Sequence, residues 1–259
     1  MEVRHPAVAG VFYPDNPHLL SQAVDRYLSD NPCSGPPPKV LVVPHAGYVY
    51  SGPVAARGYN LVAPVAGRIR RVVLLGPSHR FPLQGMALPG VDCFETPLGE
   101  VQIDNLLSYS LEGLPQVSVL SPCHAAEHSL EVQLPFLQRL IPQFKLLPLL
   151  VGQCPPRQVA EALEMVWGGD ETLIVISTDL SHYHPYDEAQ QIDRQTSHGI
   201  CACRSDLAGD EACGCAPLNG MLLLARELGL QVELLDLRNS GDTGGERDRV
   251  VGYGAYALY

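Results

Sequence analysis

Basic residues are scarce in this chain, and long apolar runs are absent from it. Only 17 lysines and arginines stand against 28 aspartates and glutamates, which gives a formal charge of −11 at pH 7. Such a surface repels phosphate backbones, so we expect no nucleic-acid partner. The longest apolar stretches, such as 144–151, fall far short of the roughly 20 residues that span a bilayer. Because the first residues also show no signal-peptide pattern, we expect a cytoplasmic protein that does not bind membranes.

The motifs of several common enzyme classes are also missing. The sequence contains no G-x-S-x-G nucleophile elbow, no phosphate-binding P-loop, no G-x-G-x-x-G dinucleotide motif and no H-E-x-x-H motif. These absences argue against a serine hydrolase and against an enzyme that uses a nucleotide cofactor in the usual way.

Eight cysteines occur in a chain without export features, which favours reduced thiols or metal ligands over a disulfide framework. Four of them form two C-x-C pairs, Cys201 with Cys203 and Cys213 with Cys215. Together they could make a four-thiolate site for zinc or Cu(I), although the common spacer between such pairs has two residues. The pattern leaves this site open as one hypothesis.

Apolar runs alternate with amphipathic segments along the whole chain. Short β-branched runs bounded by Gly or Pro predict buried strands, and apolar residues at helical spacing predict helices. A length of 259 residues with this regular alternation favours a single domain, 1–259. We predict an α/β fold with a mostly parallel or mixed central sheet and helices on both faces.

The individual elements are predicted from the same patterns. We place strands at 39–43, 72–75, 91–95, 100–103, 144–151, 172–177, 231–237 and 250–258. Helices are placed at 18–29, within 54–66, after an N-cap at Asp104, at 126–140 with a kink at Pro135, and at 155–167, 187–202 and 217–228. The segment 239–245 is predicted to be a loop.

Histidines stand where three of the predicted strands end. His45 follows the first strand, His79 follows the second, and Asp179 with His182 follows the strand at 172–177. In an open α/β sheet, ligands gather beyond the carboxyl ends of the strands, so residues distant in the chain meet there. Imidazole nitrogens and a carboxylate oxygen suit iron, zinc or copper. The sequence therefore predicts a metal site at this edge of the sheet.

Two further groups supply candidate acid–base residues. Asp179 and His182 are three residues apart, and both reach one point if the segment forms a helical turn. His128 and Glu131 have the same spacing and could form a base with the residue that orients it, or a contact to a ligand histidine. The alternatives are that Asp179 only caps a helix and that His128 and Glu131 only begin a solvated one.

Seven motifs occur in order from one end of the chain to the other: Arg4–Pro14, Pro44–Tyr48, Gly76–His79, Glu127–Phe136, Ser177–His182, Cys213-Gly214 with Pro217, and Asn239–Asp242 with Val251–Tyr253. Together these motifs resemble the Memo family, whose prokaryotic members are called AmmeMemoRadiSam system protein B. The resemblance covers the whole chain.

The resemblance implies a fold similar to the class III non-haem iron extradiol dioxygenases. It also implies a metal pocket at His45, His79 and Cys213, with Asp179 and His182 lining the same pocket. A thiolate in the ligand set favours iron or copper, with zinc as the other candidate. Extradiol dioxygenases use two histidines and a carboxylate, so a cysteine in this position departs from the pattern for ring cleavage.

These observations lead to one functional hypothesis and two alternatives. The first is an iron- or copper-dependent redox enzyme of unknown substrate, in which His182 or His128 is the acid or base and Asp179 orients one of them. The second is a non-catalytic module that binds a metal or a peptide, and the third is a zinc-type hydrolase. The family name also implies association with an AMMECR-domain protein and a radical SAM enzyme.

Overall fold

The computed structural model describes residues 2–259, in which strands and helices alternate as the sequence predicts. The strands are β1 (Val3–Arg4), β2 (Val40–Val43), β3 (Arg71–Pro77), β4 (Met86–Leu88), β5 (Cys93–Thr96), β6 (Gly99–Gln102), β7 (Val117–Val119), β8 (Lys145–Val151), β9 (Thr172–Ser177), β10 (His182–His184), β11 (Val232–Asn239) and β12 (Val250–Leu258). The α-helices are α1 (Pro17–Asp30), α2 (Tyr48–Asn60), α3 (Asn105–Leu111), α4 (Ser121–Ala125), α5 (Leu134–Leu140), α6 (Pro156–Val166), α7 (Tyr186–Cys201), α8 (Cys215–Leu228) and α9 (Ser240–Thr243). Two 3-10 turns occupy Ala63–Val65 and Glu131–Gln133.

The centre of the fold is a large mixed sheet. In the described part of the chain its strands run in the order β10-β12-β2-β9-β3-β8-β4-β7. Strand β11 is outside this path and pairs with β12 on the edge opposite β2. The four central strands β2, β9, β3 and β8 are mutually parallel, whereas β12 and β4 are antiparallel to their central neighbours. A smaller sheet contains β1, β5 and β6. The predicted α/β fold with a mostly parallel, mixed sheet is therefore confirmed.

The central strands are buried because both faces of the sheet are covered. Leu41, Val72 and Leu74 pack into one apolar cluster with helices α1, α2 and α5, whereas Val73 and Ile174 pack into a second cluster with α6 and α8. Alternate residues of each strand thus enter opposite layers, which explains why these strands read as unbroken apolar runs. No helix within residues 2–259 is long and apolar enough to cross a membrane.

The prediction of one kinked helix over 126–140 is wrong for the first half of that range. Helix α4 ends at Ala125, a turn follows, and a 3-10 turn at Glu131–Gln133 leads into α5. Pro135 lies in the first turn of α5, where a missing N–H costs nothing, and so it begins a helix instead of bending one. The irregular backbone before it carries Glu127 and His128.

Smaller differences occur elsewhere. Helix α2 begins at Tyr48, several residues before the predicted segment, and the predicted loop at 239–245 contains the short helix α9, which has a capping box at Asn239. The short strands β1, β4, β7 and β10 were not predicted, since two or three residues carry too little periodicity. The predicted cap at Asp104 is confirmed, because its carboxylate accepts the Leu107 N–H at 3.2 Å.

His124 in α4 is buried, and this burial predicts a pH-dependent contribution to stability. Its Nε2 donates to the carbonyl of Ala87 at 2.9 Å, and burial lowers its pKa to about 4. The unfolded chain, with a pKa near the ordinary 6.5, binds more protons between pH 6.5 and 4, so the stabilising effect is complete above pH 6.5 and is lost as the pH falls to 4. We expect the difference in unfolding free energy between wild type and His124→Gln to shrink by at least about 1 kcal/mol over this window. Urea unfolding at several pH values measures it, and a pH-independent difference would contradict the prediction.

Candidate metal centre

The predicted convergence of histidines occurs at the carboxyl edge of the sheet. His45 follows β2, His79 follows β3 and Asp179 follows β9, and these three strands are adjacent and parallel. The ring centroids of His45 and His79 are 5.2 Å apart. His128 joins them, with its centroid 5.4 Å from His45 and 4.9 Å from His79. One nitrogen of each of the three rings lies within 4.8 Å of the others, so the group can bind a metal ion.

This histidine group lies at the base of an open cavity. The cavity has a volume of about 640 Å³, and Phe12, Arg80, His182 and Cys213 contribute to its walls. His45 is fully buried, the His128 side chain is 14% exposed and the His79 side chain is 29% exposed. Protein therefore encloses His45, whereas the rings of His128 and His79 are partly accessible from the cavity.

Ser177 determines which nitrogen of His45 carries a proton. The Ser177 hydroxyl has a single hydrogen, which it donates to the carbonyl of Ser129 at 2.6 Å. It must therefore accept from His45 Nδ1 and from the Gln133 side-chain amide, each 2.9 Å away. Neutral His45 is protonated at Nδ1, and Nε2 keeps a free lone pair. That is the form in which histidine binds a metal.

Glu127 performs the same role for His79. Its Oε1 lies 3.0 Å from His79 Nδ1 and also accepts the N–H groups of His128 and Ser129, each at 2.9 Å. Its Oε2 accepts the N–H of His79 at 2.5 Å. Burial alone would raise the pKa of Glu127, but these hydrogen bonds outweigh it and hold the pKa well below its usual range. A permanent carboxylate thus orients His79 with Nε2 free.

Three histidines of the cavity have lowered pKa values and are neutral at physiological pH. Burial lowers the pKa of His45 well below its ordinary value, lowers that of His128 to about 4, and lowers that of His182. Metal ligands must be deprotonated, so these shifts favour metal binding without competition from protons. The donor set, geometry and protonation state therefore fit a transition-metal ion.

Cys213 lies beside His45. Its Sγ is 3.3 Å from His45 Nε2 and accepts the N–H of Asp179, also at 3.3 Å. Burial raises the pKa of this thiol to about 12, and a bound metal ion would be needed to deprotonate it. The structure thus places Cys213 within the cavity that holds His45 and His79, and its role as a ligand stays a prediction.

Asp179 and His182 line the same cavity, but the helical turn proposed for them is wrong. Residues 179–181 are irregular and His182 begins β10. The Asp179 carboxylate accepts the N–H of His45 at 2.8 Å, and burial raises its pKa to about 7. His182 Nδ1 is 2.8 Å from the carbonyl of Leu180, which fixes the proton on Nδ1. Asp179 can therefore exchange a proton near neutral pH, whereas His182 is neutral there, and the catalytic roles of both residues stay predictions.

Two hypotheses drawn from sequence spacing find no support in the described residues. Glu131 does not orient His128: it is fully buried and pairs with Arg4 and Tyr13, whereas Glu127 lies 3.3 Å from His128 Nδ1. The hypothesis of a four-thiolate site finds no support in residues 2–259, where the only group of three or more ligand atoms within 4.8 Å is the histidine group. All eight cysteines are free thiols.

Asp193 and Gly252 position the loop that leads to His182. The buried carboxylate of Asp193 accepts the N–H of Ser181 at 3.0 Å, and a Cβ at position 252 would lie 2.1 Å from its Oδ2. We therefore expect Gly252→Ala to lower the unfolding free energy by about 1–3 kcal/mol through overpacking. Chemical unfolding measures the effect. Gly67→Ala, which meets nothing within 4 Å, is the matched control, and equal stability of the two variants would contradict the prediction.

The fold and the site together define an α/β protein with a three-histidine group that can bind a metal ion. The family model described as Memo-like protein matches residues 4–257, and the chain belongs to the Memo family. A MEMO1 family protein of Sulfolobus acidocaldarius is 35% identical over 282 residues, with 97% of each chain covered. A MEMO1 family protein of Aquifex aeolicus is 36% identical over 265 residues, with 98% of each chain covered. The resemblance inferred from the motifs is thereby confirmed.

Proposed function

We propose that this protein is a redox enzyme that uses iron or copper held by His45, His79 and Cys213. The observation that carries the proposal is the convergence of three imidazoles at an open cavity, with Nδ1 of His45 hydrogen-bonded to Ser177 and Nδ1 of His79 hydrogen-bonded to Glu127. Cys213 lies 3.3 Å from one of them, and a soft thiolate favours iron or copper over magnesium or calcium. Bound iron or copper would supply reversible one-electron transfer.

The remaining residues of the cavity support an enzyme over a non-catalytic module. A volume of about 640 Å³ leaves room for a substrate beside the ligands. Asp179, with a pKa of about 7, and His182, with Nε2 free to accept a proton, supply acid–base groups in the same cavity. His128 stacks on His79 and is either a further base or a fourth ligand.

A zinc-dependent hydrolase is the second candidate, and one specific observation favours it. Three histidines with nitrogens within 4.8 Å of one another form the kind of ligand set that catalytic zinc uses, with a further position left for water. In that case His128 replaces Cys213 as the third ligand. The association with an AMMECR-domain protein and a radical SAM enzyme is a separate proposal that rests on the family alone.

Metal analysis of anaerobically purified protein tests these proposals. The redox proposal predicts about one iron or copper ion per chain that cycles between oxidation states, and loss of that ion in Cys213→Ser. The hydrolase predicts zinc, with the ion retained in Cys213→Ser and lost in His128→Gln. Cys33→Ser, a change at a half-buried cysteine that does not line the cavity, is the control. Unchanged metal content in Cys213→Ser would remove the thiolate from the ligand set.

A further inference from the structure

A second cavity lies next to the metal centre. It has a volume of about 470 Å³ and lies where β3 and β8 end, at Pro77 and Val151, beside the first turns of α6 and α8. Cys213 lines both this cavity and the cavity that contains His45, His79 and His128, which we call the metal cavity. Since ligands of open α/β sheets bind beyond the carboxyl ends of the strands, this is the position of a binding site, and the metal centre does not use it.

The lining of this second cavity is uncharged. None of the described residues that form it is an aspartate, glutamate, lysine, arginine or histidine, in a chain that contains 45 acidic and basic residues besides its histidines. Burial raises the pKa of Cys154 to about 11, so this thiol in the wall is neutral as well. A charged molecule would lose its hydration here without gaining a counter-ion, which is unfavourable.

The helix ends beside this cavity do not provide an anion site either. Helix α6 begins with Pro156 and is preceded by Pro155, so neither its N-cap nor its first residue has an N–H to offer. At the start of α8, the N–H groups of Gly214 and Cys215 are already bonded, at 2.8 Å to Thr178 Oγ1 and at 3.0 Å to the carbonyl of Ala212. Four of the backbone positions that usually bind a phosphate between a strand end and a helix start therefore have no free N–H here.

Among the polar side chains of the second cavity, Ser78 and Asn219 are hydrogen-bonded to the backbone, and two glutamines offer free groups. Gln84 Nε2 donates to Gln153 Oε1 at 3.0 Å, and within residues 2–259 Gln84 Oε1 and Gln153 Nε2 have no hydrogen-bond partner. One free acceptor and one free donor on adjacent amides complement the donor and acceptor of a third amide. Phe81 and Leu83 add apolar surface beside them.

We propose that this second cavity binds a neutral, planar molecule that carries a carboxamide, such as an aromatic amide. Its flat apolar part packs among the proline, leucine and cysteine side chains, and its amide pairs with Gln84 and Gln153. Because Cys213 forms part of both cavities, the bound molecule lies against a residue of the metal cavity.

Three isosteric probes of different charge test the proposal in the metal-free protein, which makes the outcome independent of the proposed function. We expect benzamide to produce saturable shifts of the Gly152, Gln153 and Ala216 amide signals in ¹H–¹⁵N NMR spectra, with a Kd in the millimolar range typical of a fragment of about nine non-hydrogen atoms. Benzoate and benzamidine should bind at least about tenfold more weakly, because each would bury an unpaired charge. Absence of saturable shifts, or equal binding of benzoate, would overturn the proposal.

Variants locate the site. Ala216→Phe should fill the cavity and abolish benzamide binding, whereas Ala63→Phe, at an exposed position outside the cavity, should leave it unchanged. Gln84→Leu affects an exposed residue, carries little risk to folding, and should weaken benzamide binding about tenfold by removing its hydrogen-bond partner. Gln102→Leu is its exposed control. Benzamide binding that persists in Ala216→Phe or stays unchanged in Gln84→Leu would place the probe elsewhere and refute the proposal.

Discussion

Replacement of Glu127 by glutamine is expected to weaken metal binding about 10- to 100-fold, the usual effect of losing a partner that orients a ligand histidine. The carboxylate accepts from His79 through both oxygens, one to the ring and one to the backbone N–H. In the glutamine variant one of these oxygens becomes an NH₂ group, which cannot accept a hydrogen bond. Either the His79 ring or the backbone beneath it then loses its partner, and His79 no longer presents Nε2 in a fixed direction.

The same substitution should lower the unfolding free energy by about 3 kcal/mol, since buried donors that lose a charged acceptor keep their desolvation penalty. Chelator competition with Co²⁺ or Zn²⁺ measures the affinity, and urea unfolding of the metal-free protein measures the stability. Glu112→Gln, at an exposed position of the chain, is the control and should change neither quantity appreciably. Wild-type affinity in Glu127→Gln would show that Glu127 does not orient a ligand.

The part of this site that could be predicted from sequence is the part that follows from topology. His45, His79 and Asp179 each end a short apolar run, and parallel strands bring such ends to one edge regardless of the loop sequences between them. The position of these residues therefore needed only the strand pattern. Cys213 precedes a helix instead of a strand end, and only the family resemblance distinguished it from the other cysteines.

Glu127, by contrast, could not be chosen from spacing. The interval between His128 and Glu131 matches a helical face, but this segment is a turn followed by a 3-10 turn, and its side chains do not follow helical periodicity. The partner of each carboxylate is decided by contacts with residues far away in the chain, Arg4 for Glu131 and His79 for Glu127. Ser177 was missed for a related reason, since its effect on His45 depends on where its single hydrogen goes.

The two glutamates of this segment have different roles: Glu131 holds the N-terminal chain, and Glu127 orients His79. Glu131 fixes the chain at residues 4–13, and Arg4 in turn donates to the carbonyls of His124 and Glu127, at 3.1 and 2.5 Å. The same N-terminal chain carries Phe12, whose ring lies 4.8 Å from that of His128. A buried ion pair outside the cavity thus supports both a wall of the metal cavity and the loop that orients His79.

Glu131→Gln should consequently be the most destabilising of the substitutions considered. Its carboxylate pairs with the Arg4 guanidinium and accepts the N–H groups of Ala7 and Val8, at 2.8 and 3.1 Å, and the hydroxyl of Tyr13 at 2.5 Å. Arg4 is only 5% exposed, so the glutamine variant leaves a buried cation without its counter-ion. Removing one partner of such a pair costs about 3–5 kcal/mol.

The control is an ion pair of similar geometry on the surface. Arg139 binds Asp25 through two nitrogens, at 2.9 and 2.8 Å, but both side chains are solvent-exposed. Asp25→Asn should cost no more than about 1 kcal/mol, because water replaces the lost partner. Urea unfolding of both variants tests the difference. Similar losses in Glu131→Gln and Asp25→Asn would mean that burial does not decide the strength of the Arg4 pair, and that the N-terminal chain is held mainly by its apolar contacts.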